Sequence, residues 1–181
     1  AGRMCPGLPR ASFGQPCPPE PDRYVNHRLA TPFPLPVAGA PEVLCRPIPW
    51  RDQRCALAST VHVGGRFDEI AASEQAMWQG EHADAPFLIV AQQSHFDTSR
   101  APSGRHTGYA YCHVPAGSTF DMTDRIETQI ERFAPGFRQR ILARHRIFPR
   151  DFEALNPSHV AGASTGGVAD LTQLFTRPSL R

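Results

Sequence analysis

Residues 106–133, HTGYAYCHVPAGSTFDMTDRIETQIERF, pass from strand to turn to helix within one segment, and they decide how the rest of the chain is read. Over residues 107–114, Tyr109, Tyr111 and His113 alternate with Gly108, Ala110, Cys112 and Val114. A period of two predicts a strand with one larger, more polar face and one smaller face, a shape suited to covering a cavity. Pro115, Gly117 and Ser118 break it. Asp121 stands at the expected helix N-cap, with Asp124 three residues on in a capping-box-like place. Met122, Ile126, Ile130 and Phe133 recur at spacings of three and four and predict the buried stripe, while Asp124, Glu127, Glu131 and Arg132 fall on the wet remainder. Pro135 and Gly136 end the helix.

Working back from this segment, Phe87, Leu88, Ile89, Val90 and Ala91 form the most apolar run and read as a buried central strand. The turn-rich link HFDTSRAPSGRH leaves it close enough to the following strand for antiparallel pairing. Thr60, Val61, His62 and Val63 read as a short strand that Gly64 and Gly65 stop. A helix follows, with Phe67, Ile70, Ala71, Glu74, Met77 and Trp78 on one mostly apolar face and Gly80 closing it. Gly64 and Gly65 lack the third glycine of a dinucleotide fingerprint and read as a turn. Working forward, residues 141–148 set Ile141, Ala143, His145 and Ile147 against arginines and predict a strand. Pro149 opens a short helix through Leu155 that Pro157 ends.

The first 49 residues differ in kind. They hold twelve of the nineteen prolines, in runs such as PCPPEP and TPFPLP, a density that removes backbone donors and argues against a continuous helix or a central strand. Residues 1–46 are therefore expected to be an irregular lead or sequence foreign to the fold, with order starting near Pro47. TPFPLP offers a polyproline II ligand as its functional reading and a flexible lead as its plain one.

All nineteen basic residues are arginine, which excludes a P-loop lysine, a Schiff-base lysine and a lysine general base. The formal charge is +2, and the one cluster, Arg138, Arg140, Arg144, Arg146 and Arg150, reads as a solvated face and not as a nucleic-acid footprint. Five scattered cysteines make no Cys-x-x-Cys pair, so neither a zinc knuckle nor a disulfide framework is expected, and a reducing cytoplasm fits. Membrane association is not indicated, since no apolar run approaches the length of a span. Among eight histidines, His62, His95, His106 and His113 are candidates to converge, but none has metal-binding spacing, so no metal is expected. Ser-His-Asp chemistry lacks a Gly-x-Ser-x-Gly elbow. The residues alone describe an α+β domain with an apolar cavity and no complete catalytic apparatus; the catalytic residues are unassigned.

A set of ordered motifs goes further. PIPW, TVHVGG followed by DEIAASE, QSHFDTSRAPSGRHTGYAYCHVP, GSTFDMTDRIETQIERFAPGF, ILARH and NPSHVAGASTGGVADLTQLFTRP run through residues 47–181. Together they resemble the interior of the phytoene-dehydrogenase-like branch of the FAD-dependent oxidoreductases, the branch that includes the pyridine nucleotide-disulfide oxidoreductase domain-containing proteins. The resemblance implies a mixed, largely antiparallel sheet with helices packed on one face, serving as the substrate domain of a flavoenzyme. It implies FAD in the intact family member, an apolar small-molecule substrate, and a cavity walled by Tyr109, Tyr111 and Phe175. Gly166 and Gly167 would let backbone approach flavin or substrate, and Arg177 would anchor that segment. The family's Gly-x-Gly-x-x-Gly and its glycine-rich closing segment are absent, and the proline-rich lead takes the place of the strand expected before PIPW. These departures imply a truncated or frame-disrupted reading, a missing FAD-binding domain as the partner, and a chain that is inactive and cofactor-free alone. The alternative is a non-enzymatic α+β domain that binds a ligand or partner through TPFPLP or the loop between His95 and His106.

Overall fold

The computed structural model describes residues 37–163. Five strands, β1 (Val37–Leu44), β2 (Thr60–Val63), β3 (Leu88–Ala91), β4 (His106–His113) and β5 (Ile141–Arg144), form one sheet in the order β2-β3-β4-β1-β5. Among the described residues every strand pairing is antiparallel, without the parallel pairs of the mixed sheet expected. Helices α1 (Phe67–Trp78), α2 (Gln93–Phe96), α3 (Thr123–Phe133) and α4 (Pro149–Leu155) complete an α+β fold.

The alternation in β4 sorts its residues as expected. Gly108, Ala110 and Cys112 are buried, while Tyr109, Tyr111 and His113 are half-buried on the opposite face. The buried face meets α3, whose Ile126 and Ile130, with Met122 at its N-cap, join Ala110, Cys112, Val114, Leu88 and Val90 in a single apolar core. Asp121 accepts a hydrogen bond from the Thr123 N–H, as a cap would, but helical geometry begins two residues after it at Thr123. Asp124 does not close a capping box. Its carboxylate accepts from Arg138 instead.

β1 overturns part of the expected lead. Residues 37–44, expected to be irregular, lie between β4 and β5, paired to β4 over their whole length. Pro41 is tolerated because of where its missing donor falls. Its carbonyl accepts from His145 N–H on the β5 side, so the vacant N–H position faces the interval between the β5 ladder and the bridge of Gly39 to Ile147. β1 also runs straight into PIPW. There Ile48 and Trp50 enter the core, and Trp50 Nε1 donates to Gln92 Oε1 at 2.9 Å across 42 residues of sequence.

α1 closes the end of the sheet where β2 stops and β3 begins. The Phe87 N–H donates to Ser73 Oγ at 2.9 Å, and Glu69 forms an ion pair with Arg132 of α3 at 2.6 Å. Gly64 has to be glycine for this packing, because a Cβ would stand 2.5 Å from Ile70 Cγ1 and 2.8 Å from Phe87 Cδ2. The apolar face expected for α1 is not buried as a stripe. Ser73 is the only buried residue of the helix, and Phe67 and Trp78 lie in the open.

Two further expectations are corrected. Glu127 is not wet: it is only 4% exposed. The arginine cluster is not simply solvated, since Arg138 pairs with Asp124, Arg144 with Glu127 and Arg146 with Asp121, and Arg140 donates to the Pro47 carbonyl. Among the described cysteines, Cys55 and Cys112 are free thiols.

Candidate functional site

The face of the sheet turned away from α3 carries the residues expected to wall a cavity. Tyr109 and Tyr111 extend from alternate positions of β4 with ring centroids 5.5 Å apart at 37°. The register sets Ile89 opposite Tyr111 and Ala91 opposite Tyr109 on β3, and Gly39 and Pro41 opposite the same two tyrosines on β1. Gly39 makes room for the aromatic pair: a Cβ there would meet the Tyr109 hydroxyl at 3.0 Å and its ring at 3.1 Å. A tyrosine ring lying across a strand glycine covers backbone that would otherwise face water, an arrangement that also fixes register. Desolvation pushes both phenols up, and the neighbouring Tyr111 adds to the rise at Tyr109, so both hydroxyls stay protonated across the physiological range. The result is an apolar wall with two neutral phenols that offer hydrogen bonds at its centre.

Histidines stand at the two ends of β4 and do not converge, His113 on the face of the tyrosines and His106 on the opposite face with Gly108, Ala110 and Cys112. His106 opens β4 and His113 closes it, which separates them by about 23 Å at the rise of an extended strand. His113 Nδ1 lies 2.8 Å from Glu74 Oε2 of α1, and its Nε2 is buried without a partner. His95 sits 6.4 Å from His106 by ring centroids, and His106 is held below the usual imidazole range by burial and by that neighbour. His62 meets Phe87 edge-on. Among the described residues no three His, Cys, Asp or Glu side chains are grouped so as to hold a metal ion.

One pairing had no signature in the sequence. His82 Nε2 and Ser118 Oγ lie 2.7 Å apart, joining two loops across 36 residues. Burial and the Arg125 cation lower the His82 pKa, so the ring is neutral and can accept the serine proton. The arrangement stops short of a triad. Asp84 is taken by Arg125 at 2.8 Å, and Ser118 Oγ already accepts from the Phe120 N–H at 3.1 Å. It ties the loop ahead of β3 to the loop ahead of α3.

A second cluster lies on the other side of β1. Glu42 and Glu127 are both buried, on the inner face of β1 and on α3, and each has a carboxyl oxygen with no hydrogen-bond partner. Arg144 Nε is 3.0 Å from Glu127 Oε1, within ion-pair distance although the N–H is poorly aimed, and Arg138 Nε is 3.6 Å from Oε2. Sequence reading missed both acids, one placed on the wet side of a helix and the other in the lead.

The described residues do not fit the pyrophosphate of FAD. The strand, glycine turn and helix of β2, Gly64, Gly65 and α1 have the right order for a phosphate cradle, but Asp68 and Glu69 occupy the first turn. Glu69 Oε2 already accepts the Arg66 N–H at 2.7 Å, and a carboxylate at a helix N-terminus repels the anion that would bind there. Gly166, Gly167, Phe175 and Arg177 lie outside the described residues, as does TPFPLP. No family model matches the chain, and no curated protein matches it. No helix among the described residues is long and apolar enough to cross a membrane.

Proposed function

We propose that residues 47–181, together with the strand that precedes them, form the substrate-binding portion of an FAD-dependent oxidoreductase of the phytoene-dehydrogenase-like type. The observation that carries this reading is the one-sided sheet. α3 covers one face, and the other presents Tyr109 and Tyr111 with Ile89, Ala91, Gly39 and Pro41 as an apolar wall. Such a surface suits an apolar small molecule, which gains by leaving water and is oriented by a few polar groups, here the two phenols. β1 adds support. The resembled family has a strand just before PIPW, and Val37–Leu44 is such a strand in this chain. In an intact enzyme the flavin supplies the redox chemistry, and the part of these residues is to bind and orient substrate and exclude water. The described residues offer no site for the pyrophosphate, so the flavin is proposed to be held outside them.

Titration of the purified chain with all-trans-retinol, followed by energy transfer from tryptophan, tests the binding role. Saturable binding that weakens at least about tenfold in Tyr109→Ala/Tyr111→Ala, and that survives Phe67→Ser, is expected; about tenfold corresponds to 1.4 kcal/mol of lost contact. Binding lost in Phe67→Ser and kept in the tyrosine variant would instead favour a non-enzymatic domain that docks a partner through α1. The purified chain should also show no flavin absorbance. A yellow protein with stoichiometric FAD would overturn the assignment of the cofactor to a separate domain.

A further inference from the structure

We infer that Glu42 and Glu127 form a proton-binding site between β1 and α3, with one proton held on Glu42 while Glu127 stays ionised, and that loss of this proton loosens α3 from the sheet. Glu42 is 3% exposed, set between the buried Ala40 and Leu44 on the face of β1 that meets the helix. Its Oε1 has no partner, and no guanidinium of the described residues stands within ion-pair distance of it. Glu127 differs: burial raises its carboxyl too, but Arg144 from β5 and Arg138 from the turn after α3 both approach it and oppose that rise, whereas Glu42 has no such ion pair. Two buried carboxylates in one low-dielectric space do not both ionise readily, so the proton rests on the acid without a cation.

The remaining charges around the pair preserve this asymmetry. Asp124 on α3 and Asp121 ahead of it raise the cost of a second negative charge, but Arg138 occupies Asp124 at 2.8 Å and Arg146 occupies Asp121 at 2.7 Å. Arg144, cross-strand partner of Glu42, exerts the one opposing pull upon it. Burial first and the Glu127 charge second prevail and push the Glu42 carboxyl from 4.5 up to about 8. An acid with a raised native pKa binds more protons folded than unfolded. The stability it contributes is therefore complete below the unfolded value and is lost as pH rises through the native one.

Infrared spectra of the full chain in heavy water give the direct test. A protonated carboxyl band is expected at neutral pH, absent in Glu42→Gln and lost from the parent above about pH 9. In Glu127→Gln the band should vanish at lower pH, since the repelling charge is gone and Arg144 is released to pair with Glu42. Denaturant melts give the second test. The parent's folding constant should fall by about tenfold per unit between about pH 6.5 and 7.5, and Glu42→Gln should flatten that slope and equal or exceed the parent at about pH 9. Absence of the band at neutral pH in the parent would overturn the inference, whatever the variants do. So would a Glu42→Gln protein that keeps the parent's slope.

Discussion

Helix α3 buries Ile126 and Ile130, with the N-cap Met122 ahead of them, against the sheet, whereas α1, with a comparable run of apolar residues, leaves Phe67 85% and Trp78 75% exposed. The difference lies in what each helix rests on. α3 crosses the inner face of the sheet and meets a continuous apolar surface from Leu44 to Val114. α1 sits at the end of the strands and is held by polar bonds, Ser73 to the Phe87 backbone, Glu74 to His113 and Glu69 to Arg132. An apolar stripe states which side of a helix would gain from cover; it does not provide the cover.

The largest expected effect is on α3. Ile130→Asp places an unpaired carboxylate in a site with no exposure, at a cost of several kcal/mol, and should abolish the cooperative melt. The matched change on α1, Phe67→Asp, should leave the melting temperature nearly where it was, within about 0.5 kcal/mol of the parent. Equal melting temperatures for Ile130→Asp and the parent would break the comparison from the α3 side.

Next in size are the joints that fix α1 and the PIPW segment. Gly64→Ala forces a methyl against Ile70 and Phe87 and should cost about 1–3 kcal/mol, read from denaturant midpoints. Trp50→Phe keeps the bulk of the ring and removes the donor to Gln92 Oε1. The stranded carbonyl oxygen should cost about 1–3 kcal/mol, although Gln92 Nε2 keeps its bonds to the Cys55 and Ala58 carbonyls. If Gly64→Ala proved neutral, α1 would be free to shift on the sheet, and the polar bonds named above would not fix its position.

The contrast between the helices also explains what was legible in the sequence. β4, α3 and the turn between them were readable because strict alternation, a breaker run and a spacing of three and four all point to one local answer. Short β3 was readable from an apolar run bounded by proline, and β5 only in its first half, since the strand expected over residues 141–148 ends at Arg144 and leaves a single bridge at Ile147. β1 was not, because Pro41 reads as a breaker until its empty N–H position is seen to face an interval in the ladder, which depends on β5 more than a hundred residues away. Glu127 stands beside Ile126, at the margin of the apolar stripe, where side chains from another element decide exposure. Arg138 and Arg144 supply that cover. The Tyr109 and Tyr111 wall followed from alternation, while the Glu42 and Glu127 pair and the His82 to Ser118 link join elements whose proximity only the fold creates.

A similarly small effect on stability should come from Phe67→Ser combined with Trp78→Ser. Both side chains are already largely in water, so removing them forfeits little burial, and serine lowers helix propensity by only a few tenths of a kcal/mol per site. The change in surface chemistry is another matter. Two large apolar side chains on one exposed helix favour self-association and the binding of hydrophobic dyes, because each contact removes area that the fold itself leaves wet. The double variant should therefore melt within about 1 kcal/mol of the parent while binding less 1-anilinonaphthalene-8-sulfonate and sedimenting with less associated material. A variant that lost several kcal/mol would show that α1 is packed in solution in a way its exposure here does not convey. Unchanged dye binding would move the accessible apolar surface to the Tyr109 and Tyr111 wall.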